Sequence, residues 1–158
     1  GHWEGDLIVG KNKHSALGTL VERTTRLTLL VPLIAKNSLA VREAFIKVFR
    51  RIPQSFKKSL TYDRGMEMAQ HKLFTQETKI QVYFADPYSP WQRGTNENTN
   101  GLIRQYFPKG TDFKQVSLSA IKEAENKLNS RPRKVLGFYT PSEKFYELLK
   151  GQKIALGT

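Results

Sequence analysis

The sequence contains no cysteine. That absence excludes a disulfide framework, a thiol nucleophile and a thiolate zinc site, and it fits a reducing, cytoplasmic compartment. Histidine is scarce as well: His2, His14 and His71 are too scattered to read as a ligand cluster. Long apolar runs are missing. The longest, Leu27 to Ala35, is broken by Thr28 and Pro32 and falls short of the ~20 residues a membrane span requires. The opening GHWEGDLIV has no basic region before an apolar one and carries Glu4 and Asp6, unlike a targeting peptide. It enters a strand pattern at once, so the chain is read as a fragment of a longer protein.

Acid is in deficit. Against 26 Lys and Arg stand 14 Asp and Glu, giving a net charge of +12. The excess is uneven: residues 36–80 hold 10 basic and 4 acidic residues, whereas 81–115 hold 4 and 3. A basic surface of this size attracts polyanions, of which nucleic acid is the commonest. No segment joins a basic face to the large apolar face that a membrane surface would require. With 158 residues, one domain around one core is expected.

Hydrophobic periodicity orders the elements. Trp3 to Val9, Ala16 to Glu22 and Leu27 to Leu33 read as three strands of an antiparallel meander, the last two joined by the polar turn Arg23 to Arg26. Val41, Ala44, Phe45, Val48, Phe49 and Ile52 then recur at helical spacing until Pro53. A strand at Leu60 to Asp63, a helix near Met68 to Thr78 and a fifth strand at Gln81 to Ala85 follow. Beyond the turn at 86–90, a helix is expected from Gly94 to Phe107. A second is capped by Ser117, burying Leu118, Ile121, Ala124 and Leu128. Thr140-Pro141-Ser142-Glu143 reads as a capping box opening a last helix that ends at Gly151. The whole describes an α/β fold, a five-stranded mixed sheet with helices on both faces.

Three carboxylates stand out by position. Asp6 interrupts an apolar strand, Asp63 ends another before Gly65, and Glu97 lies in the first turns of a helix. Each has an ordinary explanation: an outward strand position, a turn, and an acid favoured by the helix dipole. Brought together, they could hold two hard cations about 3.5–4 Å apart, an arrangement that activates water or hydroxyl on one side of a phosphodiester and stabilises the leaving oxygen on the other. Around Glu97, Thr95 to Asn100 is a run of six polar residues with little to offer a core. Asn96 and Asn100 are candidate DNA contacts there, and Arg104, seven residues past Glu97, returns to the same helix face.

The motifs HWEGDLIV (His2 to Val9), LTYDRGMEMAQH (Leu60 to His71) and FADPYSPWQRGTNENTNGLIRQYFPKGTDF (Phe84 to Phe113) resemble the catalytic core of bacterial transposases of the IS-thirty family of insertion sequences. The tail RPRKVLGFYTPSEKF (Arg131 to Phe145) is similar too, so the resemblance covers nearly the whole chain. It implies an RNase H-like fold shared with retroviral integrases, and a DDE triad of Asp6, Asp63 and Glu97 that binds Mg²⁺ or Mn²⁺, as two ions. It also implies DNA as partner, a homo-oligomeric active complex, and a location at the bacterial nucleoid. An upstream helix-turn-helix region that reads the element ends lies outside this chain.

Further expectations concern single residues. Arg93 and Arg104 are the preferred phosphate contacts, with Arg131, Arg133 and Lys134 as a second group that also reads as a solvated charge run. Arg64 stands where relatives often carry Asn and is expected to point away from Asp63 by strand alternation. Met68 is expected to fill the core. Trp91 is expected to anchor its turn in the core rather than stack on a base. His71 is a proton shuttle or a solvated helix histidine, and Glu67 a supporting or a surface acid.

Overall fold

The polar residues Glu4 and Asp6 of the first strand are two apart and so share one face of the sheet. The computed structural model describes residues 1–65 and 68–156, with side chains through 152. Its β1 (His2–Val9) pairs antiparallel with β2 (Ala16–Glu22), which pairs antiparallel with β3 (Thr28–Pro32). After α1 (Ser38–Phe49) the chain returns as β4 (Ser59–Tyr62), parallel to β1. After α2 (His71–Thr78) it adds β5 (Gln81–Phe84), parallel to β4. Helices α3 (Gly94–Ile103), α4 (Leu118–Asn129) and α5 (Pro141–Leu156) complete the order. The sheet runs β3-β2-β1-β4-β5, the mixed five-stranded arrangement expected.

One face packs on α1 and α2 through Trp3, Leu20, Phe45, Phe49, Leu60 and Phe74. Trp3 donates its indole N–H to the Phe56 carbonyl at 2.7 Å and meets Phe49 edge-on. Two glycines make room for aromatic rings on this face. A Cβ on Gly5 would lie 2.7 Å from the Tyr62 ring, and one on Gly18 would lie 2.7 Å from the Phe45 ring. The other face packs on α3 and α4 through Ile8, Leu17, Leu30, Ile103, Phe107, Ile121 and Leu128. Helix α4 also reaches the outer edge of β3. Asn129 accepts from Thr28 N–H at 2.9 Å and donates to the Thr28 carbonyl at 2.7 Å, while Glu125 accepts from Leu30 N–H at 2.8 Å.

Caps are where the sequence reading succeeds best. Ser117 accepts from Ala120 N–H, and the Thr140/Glu143 box closes in both directions, at 2.7 and 3.1 Å. Two helix ends and one burial differ. Helix α3 stops at Ile103, four residues early, because Gln105 and Tyr106 bond three residues back and Pro108 forbids continuation. Helix α5 runs through Gly151 to Leu156, a glycine being costly but tolerated inside a helix. Leu118, expected inside, is 70% exposed at the first turn of α4. Met68 fills the core as expected, whereas Glu67 lies outside the described residues.

Candidate active site

Parallel pairing of β1 and β4 matches Glu4 with Thr61, and two residues further along each chain stand Asp6 and Asp63. Asp63 sits just past the carboxyl end of β4, where parallel sheets gather ligands. The segment leaving β5 folds back over the same end, so that Asp63, Arg64, Asp86, Tyr88, Arg93 and Glu97 line one cleft of about 340 Å³. Asp6 borders it through Arg93, whose guanidinium lies 3.5 Å from Asp6 Oδ2. Asp6 Oδ1 accepts from Leu7 N–H at 2.8 Å, and Oδ2 accepts from Asn100 Nδ2 at 2.9 Å. Burial pushes the Asp6 carboxyl above the usual carboxylate range and the Asp63 charge pushes the same way, against the Leu7 amide and Arg93.

The helix carrying Glu97 is tied to β1 by buried polar groups. Glu4 is fully buried; one carboxylate oxygen lies 2.9 Å from Arg23 Nε, and the other accepts from Asn96 N–H at 2.7 Å. No side chain of its own turn caps α3, so this carboxylate on a neighbouring strand satisfies one of its free amides. Asn96 Nδ2 donates to the Glu4 carbonyl at 3.1 Å and to the Thr19 hydroxyl at 3.3 Å. That hydroxyl also lies 3.3 Å from Asn100 Oδ1, and Asn100 leads back to Asp6. Arg26 adds a bond to the Thr95 hydroxyl. A chain of hydrogen bonds thus fixes the helix of Glu97 against the strand of Asp6.

Several expectations change here. Asn96 is fully buried against Glu4 of β1 and Thr19 of β2, and Thr99 is nearly so, its hydroxyl donating to the Thr95 carbonyl of its own helix; the polar run is therefore core on one face, and the buried Asn96 is not open to DNA. Asn100 is engaged by Asp6 and Thr19. Arg104 donates to the Val9 carbonyl at 2.9 Å and reaches the carbonyls of Phe107 and Pro108, so it straps the end of α3 to β1. Arg133 is likewise spent on the Leu128 carbonyl, whereas Arg131 and Lys134 are exposed outside the cleft lining.

Trp91 is 73% exposed. Its turn is closed instead by Gln92, which accepts from Asp86 N–H at 2.7 Å and donates to Asp86 Oδ2 at 3.0 Å. Arg64 lines the cleft beside Asp63 because β4 has already ended and strand alternation no longer applies. His71 is half-buried at the start of α2: Nδ1 lies 3.1 Å from the Met68 carbonyl and the ring stands edge-on to Phe84.

Arg104→Ala is therefore expected to cost about 1–2 kcal/mol of stability through the lost charged bonds to carbonyls. Urea unfolding would read that loss, and the salt dependence of DNA binding should stay as it was.

The oxygen donors suit a hard cation, since they are carboxylates without thiol or imidazole. Among the described residues no group of three or more His, Asp or Glu side chains is gathered tightly enough to hold a metal. The half-buried Asp6 carboxylate nonetheless has a cation at its Oδ2, the Arg93 guanidinium, which marks a place for positive charge. Glu4, Thr19 and Arg23 were missed as contributors. The signals were present in Glu4 and Asp6, spaced two apart on one strand face, and in Asn96 and Asn100, spaced four apart on one helix face.

Residues 1–90 match the integrase core domain family model. The chain is 54% identical over 143 residues to the transposase InsI for insertion sequence element IS30A of Escherichia coli, covering 90% of this chain and 37% of that protein. It is 42% identical over its full 158 residues to the transposase for insertion sequence element IS4351 of Bacteroides fragilis, of which it spans 48%. Its fold matches the catalytic core domain of BIV integrase with a TM-score of 0.71 at 20% identity, covering 96% of this chain and 97% of that one. Together with the β3-β2-β1-β4-β5 sheet, this is the RNase H-like fold. The chain belongs to the integrase core domain family.

Proposed function

We propose that this chain is the catalytic domain of a DNA transposase, one domain of a longer protein that carries an end-reading helix-turn-helix region upstream. Its reaction is phosphoryl transfer: hydrolysis at the element ends, then attack of the freed 3′-hydroxyl on target DNA. The observation that carries the reading is the meeting of Asp63 and Glu97 in one cleft, with Asp6 at its border across Arg93. Asp6, Asp63 and Glu97 would hold Mg²⁺ or Mn²⁺, as two ions, which when bound lower the pKa of the attacking water or hydroxyl and neutralise the leaving oxygen. Arg93 and Arg64 line the cleft and orient the phosphodiester by charge. Glu4, Asn96 and Asn100 keep Glu97 in register with Asp6, and no covalent bond to the protein is needed.

The relatives are transposases by name, and the net charge of +12 supports DNA as the partner. A homo-oligomeric complex would hold two element ends together, and a location at the nucleoid accords with DNA as the partner. Among the described residues no helix is long and apolar enough to cross a membrane. Products test the reading. Full-length protein incubated with end DNA and target should yield joined strands; cleaved ends without joining would favour a hydrolysis-only nuclease of the same fold.

The chain itself should bind duplex DNA with little sequence preference and steep salt dependence, because phosphate contacts dominate where no reader element is present. Titrations from low to high salt check this, and affinity independent of salt would contradict it.

A further inference from the structure

Arg93 connects Asp6 to the cleft. Its side chain is only 15% exposed, and its Nη1 lies 3.5 Å from Asp6 Oδ2. That nitrogen is buried without a well-formed hydrogen bond, so charge attraction rather than directed bonding holds it there. The two Asp6 oxygens are already differentiated: Oδ1 accepts from Leu7 N–H, whereas Oδ2 accepts from Asn100 and faces Arg93. A cation approaching from the cleft needs the same Oδ2 that faces Arg93. Two positive charges crowded onto one carboxylate oxygen repel each other, so one must leave. Arg93 has somewhere to go, since it lines the cleft with Asp63 and Glu97 and immediately precedes α3.

We propose that Arg93 is a positioning residue that competes with the divalent cation for Asp6, so that cation entry turns its guanidinium outward onto the phosphodiester. This rests on the metal-site reading above. Asp6 ligation and the Arg93–Asp6 pair exclude each other. By linkage, a phosphodiester that draws Arg93 into the cleft helps the cation bind, and the cation helps DNA bind. Loading of the cation and of the substrate are thereby coupled through one side chain, at a position where a weakly bonded guanidinium costs little to release.

Calorimetric titration of the chain with MnCl₂, with and without a short duplex, tests this. R93Q should bind Mn²⁺ on the order of tenfold more tightly than the parent chain. R93K, which keeps the charge, should fall between them and serves as the test should R93Q unfold. The duplex should tighten Mn²⁺ binding by the parent chain but not by R93Q. Mn²⁺ binding by R93Q equal to or weaker than that of the parent chain, with both folded by thermal unfolding, overturns the proposal. If neither folded chain binds Mn²⁺ with or without DNA, the metal-site reading fails and takes the proposal with it. Binding that is lost in D6N, but not changed by R93Q, leaves the metal site standing and removes Arg93 from it.

Discussion

Asp6→Asn, Asp63→Asn and Glu97→Gln, each made in the full-length protein, are expected to lower strand cleavage and joining by at least ~10³-fold while leaving DNA binding largely intact. Each change keeps the shape of the side chain and removes a charge that a divalent cation requires. Binding should not suffer, because fewer negative charges face the phosphates. Stability should change little in all three. Asp63 and Glu97 line an open cleft, so neutralising either is expected to be nearly neutral. At Asp6 burial already disfavours the charged form, which offsets the loss of a counter-ion for the partly buried Arg93, and urea unfolding should read a change of no more than about 1 kcal/mol. Asp86→Asn, where the side chain clasps Gln92 within its turn, should retain substantial activity. Cleavage near the parent level in Glu97→Gln, with loss in Asp86→Asn, would show that the third ligand is misassigned.

Glu4→Ala is expected to have the second largest effect. Its carboxylate is the partner of the Asn96 amide and of Arg23, and Asn96 is fully buried with it. Truncation orphans a buried helix-start N–H in a pocket that the missing side chain no longer fills, at a cost of about 2–4 kcal/mol. Arg23 is nearly half exposed, and water recovers much of its share, which keeps the figure below that of a wholly buried pair. Activity should fall about 10²-fold even at temperatures where the protein stays folded, because a displacement of α3 moves Glu97 relative to Asp6. Glu4→Gln retains an acceptor for Asn96 and should recover most of the activity, though not the pair with Arg23. Equal activity in Glu4→Ala and the parent chain, measured well below the melting temperature, would show that α3 holds its place without the carboxylate.

Local chemistry explains which parts of the fold could be read from residues alone. Strand alternation in β1, the helical spacing from Val41 to Phe49, and the caps at Ser117 and Thr140 are set within a few residues, and they emerge where expected. The fates of Trp91, Asn96 and Arg104 depend on partners far away in sequence. Trp91 stays outside because Gln92 already closes its turn; Asn96 goes inside because Glu4 and Thr19 offer it buried partners. A polar run at a helix start looks the same whether it faces DNA or a polar seam of the core. Asp6, Asp63 and Glu97 stood out one by one as carboxylates and were grouped only through the motifs; that Asp63 and Glu97 would line one cleft with Asp6 reached through Arg93 was not legible, since the Arg93 contact to Asp6 spans strand and turn.

The bonds from α4 to β3 bear on how copies of this domain can assemble. A free edge strand offers its amides and carbonyls to any passing strand, and sheets extend from one molecule into the next by that route. Here Asn129 imitates a neighbouring peptide unit, giving one donor and one acceptor to Thr28, and Glu125 takes the next outward amide at Leu30. Pro32, two residues further on, has no amide to offer. The β3 margin is thus terminated by side chains acting as a false sixth strand. A second copy of this domain therefore finds no row of free backbone groups to extend the sheet along this margin, and the sheet can be lengthened by another strand at β5 alone.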